Sequence, residues 1–211
     1  MEKVNVYIDG PNLLGAVSDV RKKRVWLDPF RLAHHLINKQ TQEVKTVFYA
    51  ETPYPENLHS PETFRKQQTF FGNIHTYIED QKVVHIRGGY RIDTMKVPSF
   101  ILNSLKPEIK KVVESVSWKK PIEKGGDVGL AVHLVRDAFR HEFDHAILVT
   151  ADQDFAPAVN IVLSDAKKKV SIAYVHNTTR NAMALRSRCG GAEFIQITRR
   201  MIDVCEIKIG L

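Results

Sequence analysis

The sequence predicts an α/β fold: a central, mostly parallel sheet with helices on both faces. Short apolar runs of strand length alternate with segments of helical spacing along most of the 211 residues. Two of those runs stop abruptly on carboxylates, Asp9 and Asp152. That is where ligands bind in open parallel sheets, at the carboxyl ends of strands near the switch in strand order. A hydrophobic content of 43% supplies a proper core for one ordinary domain or two small ones.

Val4, Val6 and Ile8 alternate with Asn5 and Tyr7, which marks the first strand. Gly10 and Pro11 force a turn after Asp9, and Asn12 is placed to cap a short helix through Leu13, Leu14 and Val17. Arg21, Lys22, Lys23 and Arg24 form a cationic loop. Asp28 and Pro29 then open a helix as N-cap and first-turn proline, with Leu32, Ala33 and Leu36 among its anchors. Residues 43–50 read as a second strand and 52–55 as a loop. Ser60 caps a long amphipathic helix to about Asp80. Residues 82–92 read as a third strand with a bend or bulge at Gly88 and Gly89.

Residues 93–121 break the rhythm. Pro98 and Pro107 punctuate them, a short helix fits 108–118, and the span is expected to be an insertion or lid on the core. A strong helix follows over 127–140, then the fourth strand, 146–149, and a helix over 155–166. The fifth strand is 170–175, a helix covers 179–188, and a short last strand covers 193–198. Residues 1–198 thus read as a single domain. Residues 199–211 are a tail expected to dock or to pair as an edge strand.

A formal charge of +7 with pI near 9.4 points to a polyanionic partner. No apolar run is long enough to span a bilayer, and the N-terminus lacks signal-peptide anatomy. Cys189 and Cys205 make neither a disulfide framework nor a metal spacing, so reduced thiols in a cytoplasmic protein are expected. No histidine pair lies on one helix face beside an acid; the nine histidines read as surface or satisfied core residues.

Asp127 lies on the same helical stripe as Leu130, Ala131, Leu134 and Ala138. A carboxylate there must emerge into a cleft or be compensated, because burying it unpaired is expensive. If the first and fourth strands are neighbours, Asp9, Asp127, Asp152 and Asp154 converge. Four clustered carboxylates are hard to sustain without a cation, and hard oxygen donors favour Mg²⁺ or Mn²⁺ over Zn²⁺. The plainer reading makes Asp152 an ordinary N-cap and Asp154 an ordinary first-turn acid.

Four motifs in order then resemble the NYN domain, a branch of the PIN-like nucleases. They are Tyr7-Ile8-Asp9-Gly10-Pro11-Asn12-Leu13, residues 124–132 around Gly125-Gly126-Asp127, residues 149–157 around Asp152-Gln153-Asp154, and Ala184-Leu185-Arg186-Ser187-Arg188. The resemblance implies a Rossmann-like three-layer sandwich with strand order about 3-2-1-4-5. It implies a Mg²⁺- or Mn²⁺-dependent endoribonuclease whose site is Asp9, Asn12, Asp127, Asp152 and Asp154. In that reading the carboxylates hold one or two metals, Asn12 orients a carboxylate or the scissile phosphate, and Asp127 completes a second metal position or acts as general base. Lys124 meets a phosphate, and Arg21, Lys22, Lys23, Arg24, Lys119, Lys120, Arg199 and Arg200 are rim candidates for RNA. The family often carries Asp where this chain has His133, which the helical wheel sets away from Asp127.

RNA is the expected partner, with no membrane, and a homodimer is left open. The competing reading is a non-catalytic RNA-binding or regulatory module on the same fold. A phosphatase using Asp9 as nucleophile is disfavoured, since the second acid it wants two residues later is Pro11.

Overall fold

The computed structural model describes residues 1–55, 60–80 and 82–209. The first strand, β1 (Glu2–Asp9), is buried on both faces from Val4 to Asp9, as a central parallel strand must be. Helix α1 (Gly10–Arg21) leaves it directly, and α2 (Pro29–Leu36) leads into β2 (Gln42–Ala50). Then come α3 (Pro61–Glu79), β3 (Val83–Ile86) and β4 (Gly89–Lys96). Two short helices, α4 (Ser99–Leu102) and α5 (Pro107–Glu114), precede β5 (Ser117–Lys124). The chain continues through α6 (Gly126–Phe139), β6 (His145–Val149), a 3-10 turn (Gln153–Phe155), α7 (Ala156–Ser164) and β7 (Lys169–Val175). It ends in α8 (Thr179–Arg186), β8 (Glu193–Ile197) and α9 (Arg199–Cys205).

The main sheet has the order β3-β2-β1-β6-β7-β8, with every neighbouring pair parallel. This is the expected 3-2-1-4-5 order, with the last strand added at the edge as a sixth. Strand order reverses between β1 and β6, so the switch point lies beside Asp9. One face buries Leu13, Val17, Leu32, Phe70, Ile74 and Ile202 from α1, α2, α3 and α9. The other buries Leu130, Leu134, Val159, Val162 and Leu185 from α6, α7 and α8. The caps follow local chemistry: Asp28 Oδ1 accepts from the Arg31 amide at 2.9 Å and Ser60 Oγ from the Thr63 amide at 3.2 Å.

Three expectations need correction. The third strand ends at Ile86 rather than at residue 92, and Gly89 starts a separate hairpin. Gly88 is the break: a Cβ there would stand 2.4 Å from Thr52 Oγ1 and 2.7 Å from the Lys124 carbonyl oxygen. Only a residue without a side chain lets the hairpin's two ends meet against the loop after β2. Second, the short helix expected over 108–118 ends at Glu114, and a strand that was not expected starts at Ser117. β4 and β5 pair antiparallel with each other and belong to no other sheet, with Gly89 opposite Lys124 and Lys96 opposite Ser117. α4 and α5 lie between them in the chain, so the arm is a ribbon with a helical tip. Third, of the two fates expected for the tail it docks, as α9 capped by Thr198 with Ile202 and Cys205 buried in the core, and does not add an edge strand; among the described residues it meets strand geometry only at an isolated bridge from Glu206 to Leu27. Residues 210 and 211 of that tail lie outside the described residues.

Candidate active site

Register delivers the first carboxylate. Ile8 pairs with Val149 across β1 and β6, so Asp9 comes level with Thr150 one step beyond. The Thr150 hydroxyl donates to Asp9 Oδ2 at 2.8 Å. The Asn12 amide donates to Asp9 Oδ1 at 3.1 Å, which makes Asp9 the N-cap of α1. Asn12, expected to be that cap, sits inside the helix instead. Pro11 has no N–H, so the Asn12 amide is the group that needs the cap. The freed Asn12 side chain accepts from the Ala151 amide at 3.1 Å and ties α1 to the turn after β6.

That turn carries the second pair of acids. The Asp152 amide donates to Thr150 Oγ1 at 3.1 Å, and Asp152 Oδ1 accepts from the Asp154 amide at 3.0 Å. Asp152 is therefore the N-cap the plainer reading foresaw, and it also lines a cleft. Asp127 arrives from the opposite wall, in the first turn of α6, where Gly125 holds a φ of 92° to start the helix. Its carboxylate emerges toward solvent rather than into the core, which resolves the conflict posed by its place on an apolar stripe.

Asp9, Pro11, Asn12, Glu123, Lys124, Gly125, Gly126, Asp127 and Asp152 line one cleft of about 250 Å³. Three of the four expected acids are thus brought together. Asp154 is exposed outside the cleft lining, though its charge still reaches Asp127. Burial, then the negative charge of Asp127 and that of Asp152, pushes the Asp9 carboxyl up to about 7 against the bonds from Thr150 and Asn12. Burial, then the charges of Asp152 and Asp154, holds Asp127 above the usual carboxylate range.

Sequence reading passed over two acids here. Glu123, at the end of the arm, accepts from Thr52 Oγ1 at 2.5 Å, and burial and Asp127 raise its pKa. Glu51, one step past β2, is 2% exposed. Tyr49 Oη donates to its carboxylate, and Gln67 Nε2 donates at 2.9 Å. Burial holds the Glu51 pKa up. A signal existed for Glu51: like Asp9, it is an acid at the end of an apolar strand. Both glutamates border a second cavity of about 250 Å³, which shares Pro11 and Glu123 with the cleft and adds Arg24, Tyr54 and Tyr90.

The basic residues separate into groups. Lys124 lines the cleft, while Lys119 and Lys120 stand exposed on β5. Arg24 donates to Tyr54 Oη at 2.8 Å and lies over its ring, 5.2 Å from the centroid. Arg21 is committed elsewhere, to Asp203 and Glu206 at 2.7 Å each, and Lys23 to Glu206 at 3.2 Å. Lys22 is exposed at the end of α1; Arg199 and Arg200 are exposed in the first turn of α9. His133 is absent from the cleft lining and faces a different cavity.

The donor chemistry fits a hydrated hard cation. The cleft offers carboxylate and amide oxygens and no thiolate or imidazole. Among the described residues, no three His, Cys, Asp or Glu side chains stand close enough to form a ready metal cage. Mg²⁺ tolerates that, because it keeps several waters and takes only one or two carboxylates directly. A closed structural zinc site would not.

A family model described as NYN domain matches residues 3–198. Among curated proteins, 6-hydroxy-3-succinoylpyridine 3-monooxygenase from Pseudomonas putida is 28% identical over 95 residues. The match takes in 45% of this chain and 30% of that protein, so the chain spans less than a third of that relative's length. Among solved structures, a protein of unknown function from Vibrio parahaemolyticus aligns with a TM-score of 0.55 at 16% identity. It covers 94% of each chain, a likeness of fold.

Proposed function

Because the chain belongs to the NYN domain family, we propose that it is a Mg²⁺- or Mn²⁺-dependent endoribonuclease. NYN domains are ribonuclease-like as a class, and the observation that carries the finer reading is the cleft. Asp9, Asp127 and Asp152 share it with Asn12, Glu123 and Lys124, and burial together with mutual repulsion already raises Asp9 and Asp127. A cation relieves that repulsion.

Asp9, Asp127 and Asp152 would hold the ion, one or two of them directly and the rest through its waters, with Asp154 acting through its charge from outside. When bound, it supplies a Lewis acid for a phosphodiester oxygen and a nucleophile near neutral pH. The bonds from Thr150 and Asn12 fix the Asp9 carboxylate in one orientation. Asn12 holds the turn that carries Asp152. Lys124 receives a phosphate at the cleft mouth. The adjoining cavity offers Arg24 and Tyr90 to the neighbouring nucleotide. Residues 1–198 act as one domain in this reading, with the arm as a lid whose lysines follow the RNA backbone.

The lack of a ready metal cage favours a second reading, a non-catalytic RNA-binding module. Incubating the protein with labelled RNA and DNA, in Mg²⁺, Mn²⁺ or chelator, separates the two. The nuclease cleaves RNA internally with metal and not in chelator. Asp9→Asn and Asp152→Asn should each abolish cleavage while leaving circular dichroism unchanged. Asn retains the oxygen that accepts from the Asn12 or Asp154 amide, and the Thr150 hydroxyl can turn from donor to acceptor. Full activity in either variant would sink the assignment; RNA binding without cleavage under any metal establishes the module.

A further inference from the structure

A cavity of about 660 Å³ opens at the other end of α6 and shares no lining residue with the acidic cleft. Its walls come from Asn5 of β1, from the middle of β2, from β3, from the last turns of α3 and from the second half of α6. Asn5 lines it and is 2% exposed. The Asn5 amide donates to Tyr7 Oη at 3.3 Å, but its Oδ1 has no partner among the described residues. His133 lines it too, and its buried Nδ1 is equally unpartnered. Buried polar groups in native proteins are nearly all paired. Two such atoms, buried in side chains of one cavity wall, would be satisfied by a guest that carries hydrogen-bonding groups and that these side chains turn to meet.

The wall also has an aromatic surface and a net positive mouth. The His133 ring lies 5.3 Å from Phe48, tilted by 43°. Both acids in the lining are already neutralised: Asp137 takes Arg136 at 2.7 Å and Tyr7 Oη at 2.9 Å, and Glu142 takes Lys45. Arg87 and Arg140, both exposed, form no salt bridge among the described residues, although Arg140, after Lys45, also helps to lower the Glu142 pKa. His85 faces the Glu51 carbonyl oxygen with Nε2 at 3.0 Å and Arg87 Nε with Nδ1 at 3.4 Å. It therefore donates from Nε2, accepts at Nδ1 and is uncharged.

A matching guest has a planar ring for His133 and Phe48, an N–H for Asn5 Oδ1, and an anionic group for two guanidiniums. Cavities of this size hold small molecules rather than a polynucleotide passing through. We propose that this cavity binds a mononucleotide, with the base inward against His133 and Asn5 and the phosphate outward at Arg87 and Arg140. Guanidinium forks match phosphate geometry, which suits the outward position.

The test is calorimetric titration of the full chain, in chelator, with AMP, GMP, CMP and UMP. The matched nucleosides, inorganic phosphate and benzoate serve as partial ligands. At least one mononucleotide should saturate one site, with every partial ligand weaker by roughly tenfold or more. Arg87→Ser with Arg140→Ser, both at the surface, should weaken it roughly ten- to hundredfold. Asn5→Leu should shift the preference among bases; if that variant fails to fold, the arginine pair carries the test. Asp152→Asn should leave nucleotide binding intact whether or not the chain cleaves RNA, which keeps this site separable from the nuclease reading. The proposal falls if no mononucleotide saturates, or if phosphate or benzoate binds as well as the nucleotide. It falls equally if Asp152→Asn abolishes binding that the arginine variant retains.

Discussion

Asp127 satisfies two demands at once: it shares a helical stripe with Leu130 and Leu134, yet its carboxylate reaches the cleft opposite Asp152. Its folded pKa lies above the free value of 3.8, so the folded protein holds the proton more tightly than the unfolded chain. The penalty, from burial and then from the charges of Asp152 and Asp154, is absent below that free value and present in full once pH has passed the folded pKa. Asp127→Asn is therefore expected to raise Tm in chelator at about pH 8 and to leave it unchanged near about pH 3.5. The gain should stay below about 1 kcal/mol, because the carboxylate meets solvent. Mg²⁺ should stabilise the wild type by mass action and the variant less, since a ligand has gone. Melts that show Asp127→Asn less stable in chelator at the higher pH would remove Asp127 from the repulsive cluster. Residues of this kind were legible because punctuation surrounds them: Gly10 and Pro11 beside Asp9, Gly125 and Gly126 before Asp127. Thr150 and Glu123 were not. Their roles depend on partners brought from distant strands, and no local spacing encodes a Thr150 hydroxyl reaching Asp9 across 141 positions.

At the scale of elements, the parallel sheet was readable because its strands are compact apolar runs and helices such as α2 and α3 open on the caps Asp28 and Ser60. The arm was not, because β4 and β5 are largely exposed, Pro121 interrupts β5, and Pro98 and Pro107 punctuate the link between them. An antiparallel pair outside the main sheet leaves no long apolar trace. The same fact makes it removable. Arg91 stands opposite Ile122 in the ribbon, so residues 92–121 can be replaced by an Asn-Gly turn that suits a tight hairpin. Glu123 and Lys124 remain in place. The shortened chain is expected to keep its circular dichroism and a Tm close to that of the full chain, while RNA binding weakens. A collapse of the cooperative melt would mean that the arm supports the six-stranded sheet; undiminished RNA affinity would mean that it is not part of the binding surface.

At the scale of the molecule, a charge of +7 says that a polyanion is welcome but not where. The arm, residues 89–124, holds eight of the lysines and arginines against four acids, while part of the cationic loop is spent internally. Arg21 and Lys23 hold α9 through Asp203 and Glu206. That division was invisible in the sequence because the paired acids lie more than 180 positions away. It yields a prediction that separates electrostatic binding from structural pairing. Binding to single-stranded RNA should weaken with salt, log K falling by about 0.7 per phosphate contact for each unit of log salt. Replacing Arg24, Lys119, Lys120 and Lys124 with Ser should flatten that slope. Replacing Arg21 and Lys23 with Ser should leave the slope alone and lower Tm slightly, since ion pairs this near the surface contribute about 1 kcal/mol or less each. Filter-binding titrations across a salt series, with melts of the same variants, read both quantities. A slope that flattens with the Arg21 and Lys23 variant and not with the other would move the RNA track to the α1–α9 side of the sheet.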